Sequence, residues 1–173
     1  MLRRELRRRR RALSEADRQA GGDRLHQRLV KLPEYASAGS VFVYVAVGRE
    51  VPTAPLIPGL LDRGVVVTLP RVDDADTGRM SAVRIDGPPL ETTPDVTILP
   101  GLGFDPETGV RLGQGGGFYD RYLAAHPDTF AVGLAFDTQL QTGLPADPHD
   151  RPADAIVTPT RTLRFDGRNR RAV

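Results

Sequence analysis

Three short runs constrain the chain most. SVFVYVAV at 40–47, VVVTLP at 65–70 and DVTILP at 95–100 are rich in β-branched residues and almost unbroken in apolar character. A strand with one wet face alternates apolar and polar residues, whereas a strand covered on both faces does not. Each run is therefore expected as a strand inside a sheet flanked by helices. Thr53 to Arg63 reads as a proline-interrupted helix ending at Gly64, and strand, helix, strand at this spacing calls for a right-handed parallel crossover. After the DDADTG turn, Met80 to Ile85 reads as an edge strand. GPPLETTP reads as a loop, because proline cannot donate to a central ladder. Thr129 to Phe136 and Asp154 to Thr158 add strands, and Thr162 to Phe165 an edge. The fold class expected is α/β: a three-layer α/β/α sandwich around a mostly parallel central sheet.

Ahead of the sheet, residues 2–12 are strong helix formers with Leu2, Leu6 and Leu13 near one face. Ser14 then opens a second helix, capped through Asp17 three residues on, with Leu25, Leu29 and Val30 as its apolar stripe up to Pro33. Seven arginines against Glu5 give the first eleven residues a charge of +6, in a chain whose net charge is only +2. Lys31 is the sole lysine, which removes a Walker-type lysine and Schiff-base chemistry. The arginine run can bind RNA or acidic lipid, but a solvated helix face is the commoner explanation, and no aromatics are interleaved with it.

No apolar run approaches the ~20 residues that cross a bilayer, and no apolar h-region follows the basic start. Cysteine is absent, which excludes disulfides and thiolate metal sites and makes the cytoplasm the expected location. Without repeats or a low-complexity linker, residues 1–173 are expected to form one domain with the arginine-rich helix at about 2–12. A monomer is expected, with no membrane or nucleic-acid partner.

The chemistry gathers in the loop after the third run. Gly113, Gly115, Gly116 and Gly117 stand directly before the helical string FYDRYLAAH. Glycine lets a backbone approach a ligand closely, and a helix N-terminus offers free N–H groups to an anion. Arg111 can add a bidentate contact to a phosphate, and Asp120, in the first helical turn, can hold magnesium. Tight turns alone also use such glycines, and Asp120 also suits the helix dipole. The spacing matches neither a Walker loop nor the dinucleotide pattern.

The whole string LPGLGFDPETGVRLGQGGGFYDRYL resembles the signature of the 5-formyltetrahydrofolate cyclo-ligase family, also called methenyltetrahydrofolate synthetases. The arginine-rich opening, VFVYV, VTLP and the closing AIVTPT extend that resemblance over most of the chain. It implies a fold like that of phosphosugar isomerases and CoA transferases. It also implies an ATP- and Mg2+-dependent cyclisation of a reduced folate. ATP would lie on Arg111, Leu112, Gly113, Gln114, Gly115, Gly116, Gly117, Phe118 and Tyr119, with Arg3, Arg4 and Arg7 reaching it from the first helix. Arg111 and Tyr119 would be catalytic. The folate would meet Val47, Glu50 and the stretch Gln114 to Phe118, and the metal would meet Asp120 and Asp150.

Three departures from the family pattern bear on the folate side. Pro52 stands where a pterin-contacting Glu is expected before Thr53, with Glu50 as a substitute two residues earlier. The segment from Met80 to Asp95 is short and lacks a Glu-Pro pair. Arg3 replaces a lysine. Of the three histidines, His26 and His126 read as surface or packing residues, leaving His149 as the one to test. Two other readings stay open: a divergent paralogue that binds Mg-ATP but acts on another substrate or binds folate without turnover, and an RNA-binding protein using Arg3 to Arg11.

Overall fold

The computed structural model describes residues 1–88, 92–147 and 150–165. The helices are α1 (Leu2–Ala12), α2 (Glu15–Leu29), α3 (Pro33–Ser37), α4 (Leu56–Asp62) and α5 (Phe118–Ala125). The strands are β1 (Ser40–Phe42), β2 (Val66–Asp74), β3 (Arg79–Arg84), β4 (Val96–Leu99), β5 (Gly103–Phe104), β6 (Arg111–Leu112), β7 (Phe130–Leu134), β8 (Ala155–Val157) and β9 (Thr162–Arg164). Among the described residues these form a seven-stranded sheet, ordered β3-β2-β1-β4-β7-β8-β9, and a two-stranded sheet of β5 and β6. The five central strands run parallel, and both edges are antiparallel. No helix among the described residues is long and apolar enough to cross a membrane.

The unbroken apolar runs are explained by burial on both faces. Val41, Ile98, Val132 and Val157 point to one side, where Leu25 and Leu29 of α2, Tyr35 of α3 and Leu60 of α4 complete the core. Leu99, Ala131 and Ile156 point to the other, against Leu123 of α5 and Phe104, while Phe42 meets Tyr122 there. Helices thus cover the mostly parallel sheet on both sides, as expected for the α/β class.

Local signals hold where the chemistry is local. Ser14 Oγ accepts the Asp17 N–H at 3.0 Å and starts α2. Pro58 is tolerated in the first turn of α4, where no intrahelical donor is required. In β2, alternate residues face β1 and β3: Thr68 O accepts from Val43 on the β1 side, and Val67 O accepts from Ile85 on the β3 side. Pro70 therefore faces the β1 side beyond the end of β1, where its missing donor costs no ladder bond.

Several expectations are corrected. β1 stops at Phe42 rather than running to 47, and Val45 and Val47 are 56% and 71% exposed. The string after β1 is apolar, but it leaves the sheet. Val30 is exposed at the C-cap of α2, past the buried Leu25 and Leu29, and Leu13 packs on the main core instead of beside Leu6. The long loop after β4 contains the β5 and β6 pair, and α3 follows α2 as a separate short helix.

Candidate active site

Sequential connections leave β1 towards β2 on one side, while β4 leads to β7 on the other, so the winding reverses between adjacent β1 and β4. Ligands of open α/β sheets settle outside the carboxyl ends of strands at such a reversal. A pocket of about 430 Å³ lies there. Glu50 follows β1, Pro70 and Val72 come from the far half of β2, Met80 from β3, and Pro100 and Gly101 follow β4. The run from Arg111 to Asp120 closes another wall, with Arg3 from α1 and with Pro145, Asp147 and Asp150 from a late loop.

The glycine loop ends at Gly117, the N-cap of α5, whose φ of 65° a residue with a Cβ adopts only at a cost. Phe118, Tyr119 and Asp120 of the first turn line the pocket next to this loop, and first-turn N–H groups have no partner within a helix. Arg111 is buried at the back of the loop. Its Nη2 donates to Asp120 Oδ1 at 2.8 Å, its Nη1 to Pro100 O at 3.4 Å, and its guanidinium lies 5.6 Å from the centre of the Tyr119 ring. Nε is buried with no partner among the described residues. A fixed cation with donor capacity to spare is suited to an anion in the pocket. Burial, helped by Glu50 and opposed by Arg111, pushes the Tyr119 phenol well above its usual range, so it stays a neutral O–H donor.

Helix α1 is built into the site. Leu6 is fully buried against Leu102, Val110, Leu112 and Leu144. On the same side Arg3 Nε donates to Gly113 O at 3.2 Å and Arg7 Nη2 to Gln114 Oε1 at 2.6 Å. Arg4 is exposed and not part of the pocket wall. Arg10, expected with the rest of the arginine run on a solvated face, is instead buried behind the pocket with Nη1 3.2 Å from Gly101 O and 3.6 Å from Glu50 Oε1.

The excursion between β1 and α4 is tied at its base. Tyr44 Oη donates to Val51 O at 2.7 Å, and Thr53 Oγ1 donates to Tyr44 O at 2.6 Å. At its tip Glu50 Oε2 accepts the Val47 N–H at 3.0 Å. Glu50 lines the pocket, and Pro52 does not. Pro52 packs beside Gly22 of α2, its carbonyl accepts from His26 Nε2 at 2.7 Å, and it lies outside the pocket wall. The pocket lining thus includes a carboxylate, Glu50, two residues before Pro52. Val47 itself is exposed and does not line the pocket.

The other histidines are structural. Burial lowers the pKa of both His26 and His126, and His126 packs 4.3 Å from the Tyr122 ring with Nδ1 3.2 Å from Thr93 Oγ1. His149 lies outside the described residues. Asp150 lines the pocket and also shapes a turn, its N–H donating to Asp147 O and its Oδ2 accepting from Asp147 N–H. No cluster of three or more potential metal ligands exists among the described residues. Magnesium bound with a nucleotide needs only one or two protein carboxylates besides phosphate oxygens, and Asp120 and Asp150 suit that partial donor set.

Fold and pocket define an α/β protein with a glycine-lined, arginine-backed cleft at the switch point of a mostly parallel sheet. The family model of the 5-formyltetrahydrofolate cyclo-ligase family matches residues 1–94 and 87–159. A 5-formyltetrahydrofolate cyclo-ligase of Escherichia coli strain K12 is 35% identical over 178 residues, covering 90% of this chain and 97% of that one. Another, from Mycolicibacterium smegmatis, is 33% identical over 185 residues, covering 94% of each. The solved 5,10-methenyltetrahydrofolate synthetase of Aquifex aeolicus superposes with a TM-score of 0.80 at 30% identity, covering 100% of this chain and 96% of that one. The chain belongs to the 5-formyltetrahydrofolate cyclo-ligase family.

Proposed function

We propose that this chain converts 5-formyltetrahydrofolate and ATP into 5,10-methenyltetrahydrofolate, ADP and phosphate. The observation that carries this reading is a single pocket joining the glycine loop, Arg111 and Asp120 to a wall bearing Glu50, Val72 and Met80. One end suits a polyphosphate. The other offers apolar surface and one carboxylate, as a flat ring with amino and N–H donors requires.

In this reaction the formyl oxygen on N5 attacks the γ-phosphorus and ADP departs. N10 then attacks the activated carbon and loses its proton, and cleavage of the carbon–oxygen bond releases phosphate. The amides from Gly113 to Gly117 hold the triphosphate, with Arg3 and Arg7 at its open side. Arg111 neutralises charge that develops on the transferring group, and its place under Asp120 and over Tyr119 fixes its direction before substrates arrive. The Tyr119 O–H remains available as a neutral donor. Glu50 accepts from the pterin and sets the face from which N10 approaches. A magnesium ion, held by Asp120 and Asp150, would neutralise phosphate charge.

The test follows the near-ultraviolet absorbance of the methenyl product when the purified chain meets 5-formyltetrahydrofolate, ATP and magnesium. Absorbance that grows only with all three is expected. ATP binding without product would replace this reading with that of a paralogue acting elsewhere.

A further inference from the structure

Arg121 lies in α5 just past the pocket-lining residues and is not part of the wall, yet its guanidinium holds two pieces of that wall together. Nη2 donates to Gly116 O in the glycine loop. Nε donates to Gly78 O at 3.2 Å, in the turn between β2 and β3. Those two strands carry Pro70, Val72 and Met80, which face the pocket. A Cβ at Gly78 would fall 1.7 Å from Arg121 Nη2, and one at Gly117 would fall 2.9 Å from Nη1. Both positions are thus glycine where this side chain passes, on two segments far apart in sequence.

The bond to Gly116 has a directional consequence. The peptide bonds are trans, so the N–H of Gly117 points opposite to the C=O of Gly116. With that carbonyl fixed on Arg121, the Gly117 N–H is turned away from Arg121, and both glycines line the pocket. The guanidinium fork spans both carbonyls at once, which a single ammonium cannot do in the same geometry.

We propose that Arg121 is a positioning residue for the reaction. It acts through the Gly116–Gly117 peptide to aim an amide at the nucleotide's phosphates. Through Gly78 it sets the spacing between the phosphate loop and the β2–β3 wall that faces the second substrate. The inference rests on the cyclo-ligase reading for its second substrate, and on the phosphate loop alone for its first.

The experiment compares the native chain with Arg121→Ala and Arg121→Lys. Calorimetry gives the Mg-ATP affinity of each, and the methenyl absorbance assay gives kcat and both KM values. Arg121→Ala is expected to weaken Mg-ATP binding about tenfold, the worth of one charge-assisted hydrogen bond, and to raise both KM values. Arg121→Lys, which keeps the charge and most of the packing, is expected to recover only part of each loss. Loss of folded protein would lower the active fraction and leave both KM values unchanged, which would overturn the proposal. Unaltered Mg-ATP affinity in either folded variant would also overturn it. A native chain that binds Mg-ATP in an Arg121-dependent way but makes no methenyl product would sink the cyclisation reading while leaving the role of Arg121 in the phosphate loop intact.

Discussion

Arg10 approaches Glu50 from behind the pocket wall, with Nη1 3.6 Å from Oε1 and side chains only 9% and 12% exposed. The pair fastens the tip of the excursion after β1 to α1, while Arg10 also reaches Gly101 at the end of β4. Removing one member of a buried pair leaves the other charge uncompensated. Arg10→Met is therefore expected to lower stability by about 3 kcal/mol in urea unfolding. Adding Glu50→Gln to that variant should restore part of the loss. Both single variants should raise the KM for 5-formyltetrahydrofolate more than that for ATP. Strictly additive stability losses would show that the two charges do not sense each other.

Asp120 is held by Arg111 at 2.8 Å, so replacing it changes two things at once. Asp120→Ala strips a buried guanidinium of its charged partner, whereas Asp120→Asn keeps an oxygen acceptor for Arg111 and removes the negative charge. Turnover should fall in both by about a hundredfold or more, the scale of losing one electrostatic contributor to the transition state. Asp120→Asn should keep most of the stability that Asp120→Ala loses, and should need more magnesium for half-maximal rate. Full activity in Asp120→Asn would remove this carboxylate from the metal role.

The central strands were legible because double-sided burial leaves a local mark, an apolar run with no alternation. Val45 and Val47 carry the same mark for a different reason: they belong to a tied excursion that leaves the sheet and carries Glu50 into the pocket. Pairing of Gly103–Phe104 with Arg111–Leu112 involves two residues on each side, too few for any periodicity to reveal. The glycine loop, Arg111 and Asp120, which line one pocket, stood out because glycines, a guanidinium and a carboxylate fall within ten residues of one string. Arg10 and Arg121 did not. In a chain with 23 arginines and one lysine, nothing local distinguishes the guanidinium that is buried behind Glu50 or threaded between two glycines from those left on the surface of α1. Pro52 and Glu50 differ in the same way: the Pro52 carbonyl is turned to His26, while Glu50, two residues earlier, lines the pocket.

Gly117 tests the loop through its backbone conformation. At φ 65° a Cβ-bearing residue sits in the left-handed region, at a cost of about 1–2 kcal/mol for alanine, while asparagine tolerates that region better. Either Cβ would also meet the Arg121 guanidinium. Gly117→Ala should therefore lose more stability than Gly117→Asn, yet both should bind Mg-ATP more weakly. If Mg-ATP affinity followed stability across the two variants, the loop would matter for folding alone.

All four tyrosines are pushed upward by burial: Tyr35 to about 12, Tyr44 well above its ordinary 10.0, and Tyr119 and Tyr122 likewise upward. A raised phenol pKa means that the folded state keeps protons the unfolded chain gives up. The contribution is fully present below pH 10 and is lost as pH rises above 10 towards the folded-state values. Unfolding free energy should therefore fall with a slope that steepens above pH 10, because up to four protons leave the unfolded chain first. Titration followed by tyrosinate absorbance should show little ionisation near pH 10 in the native protein, then a cooperative rise as the fold gives way. A phenol titrating reversibly at its ordinary value, with far-ultraviolet circular dichroism unchanged, would mean that one of these rings is open to water. Tyr119, beneath Arg111 in the pocket wall, is the ring whose exposure would bear most on catalysis, and bound Mg-ATP should shift the onset of its ionisation to higher pH by stabilising the folded state.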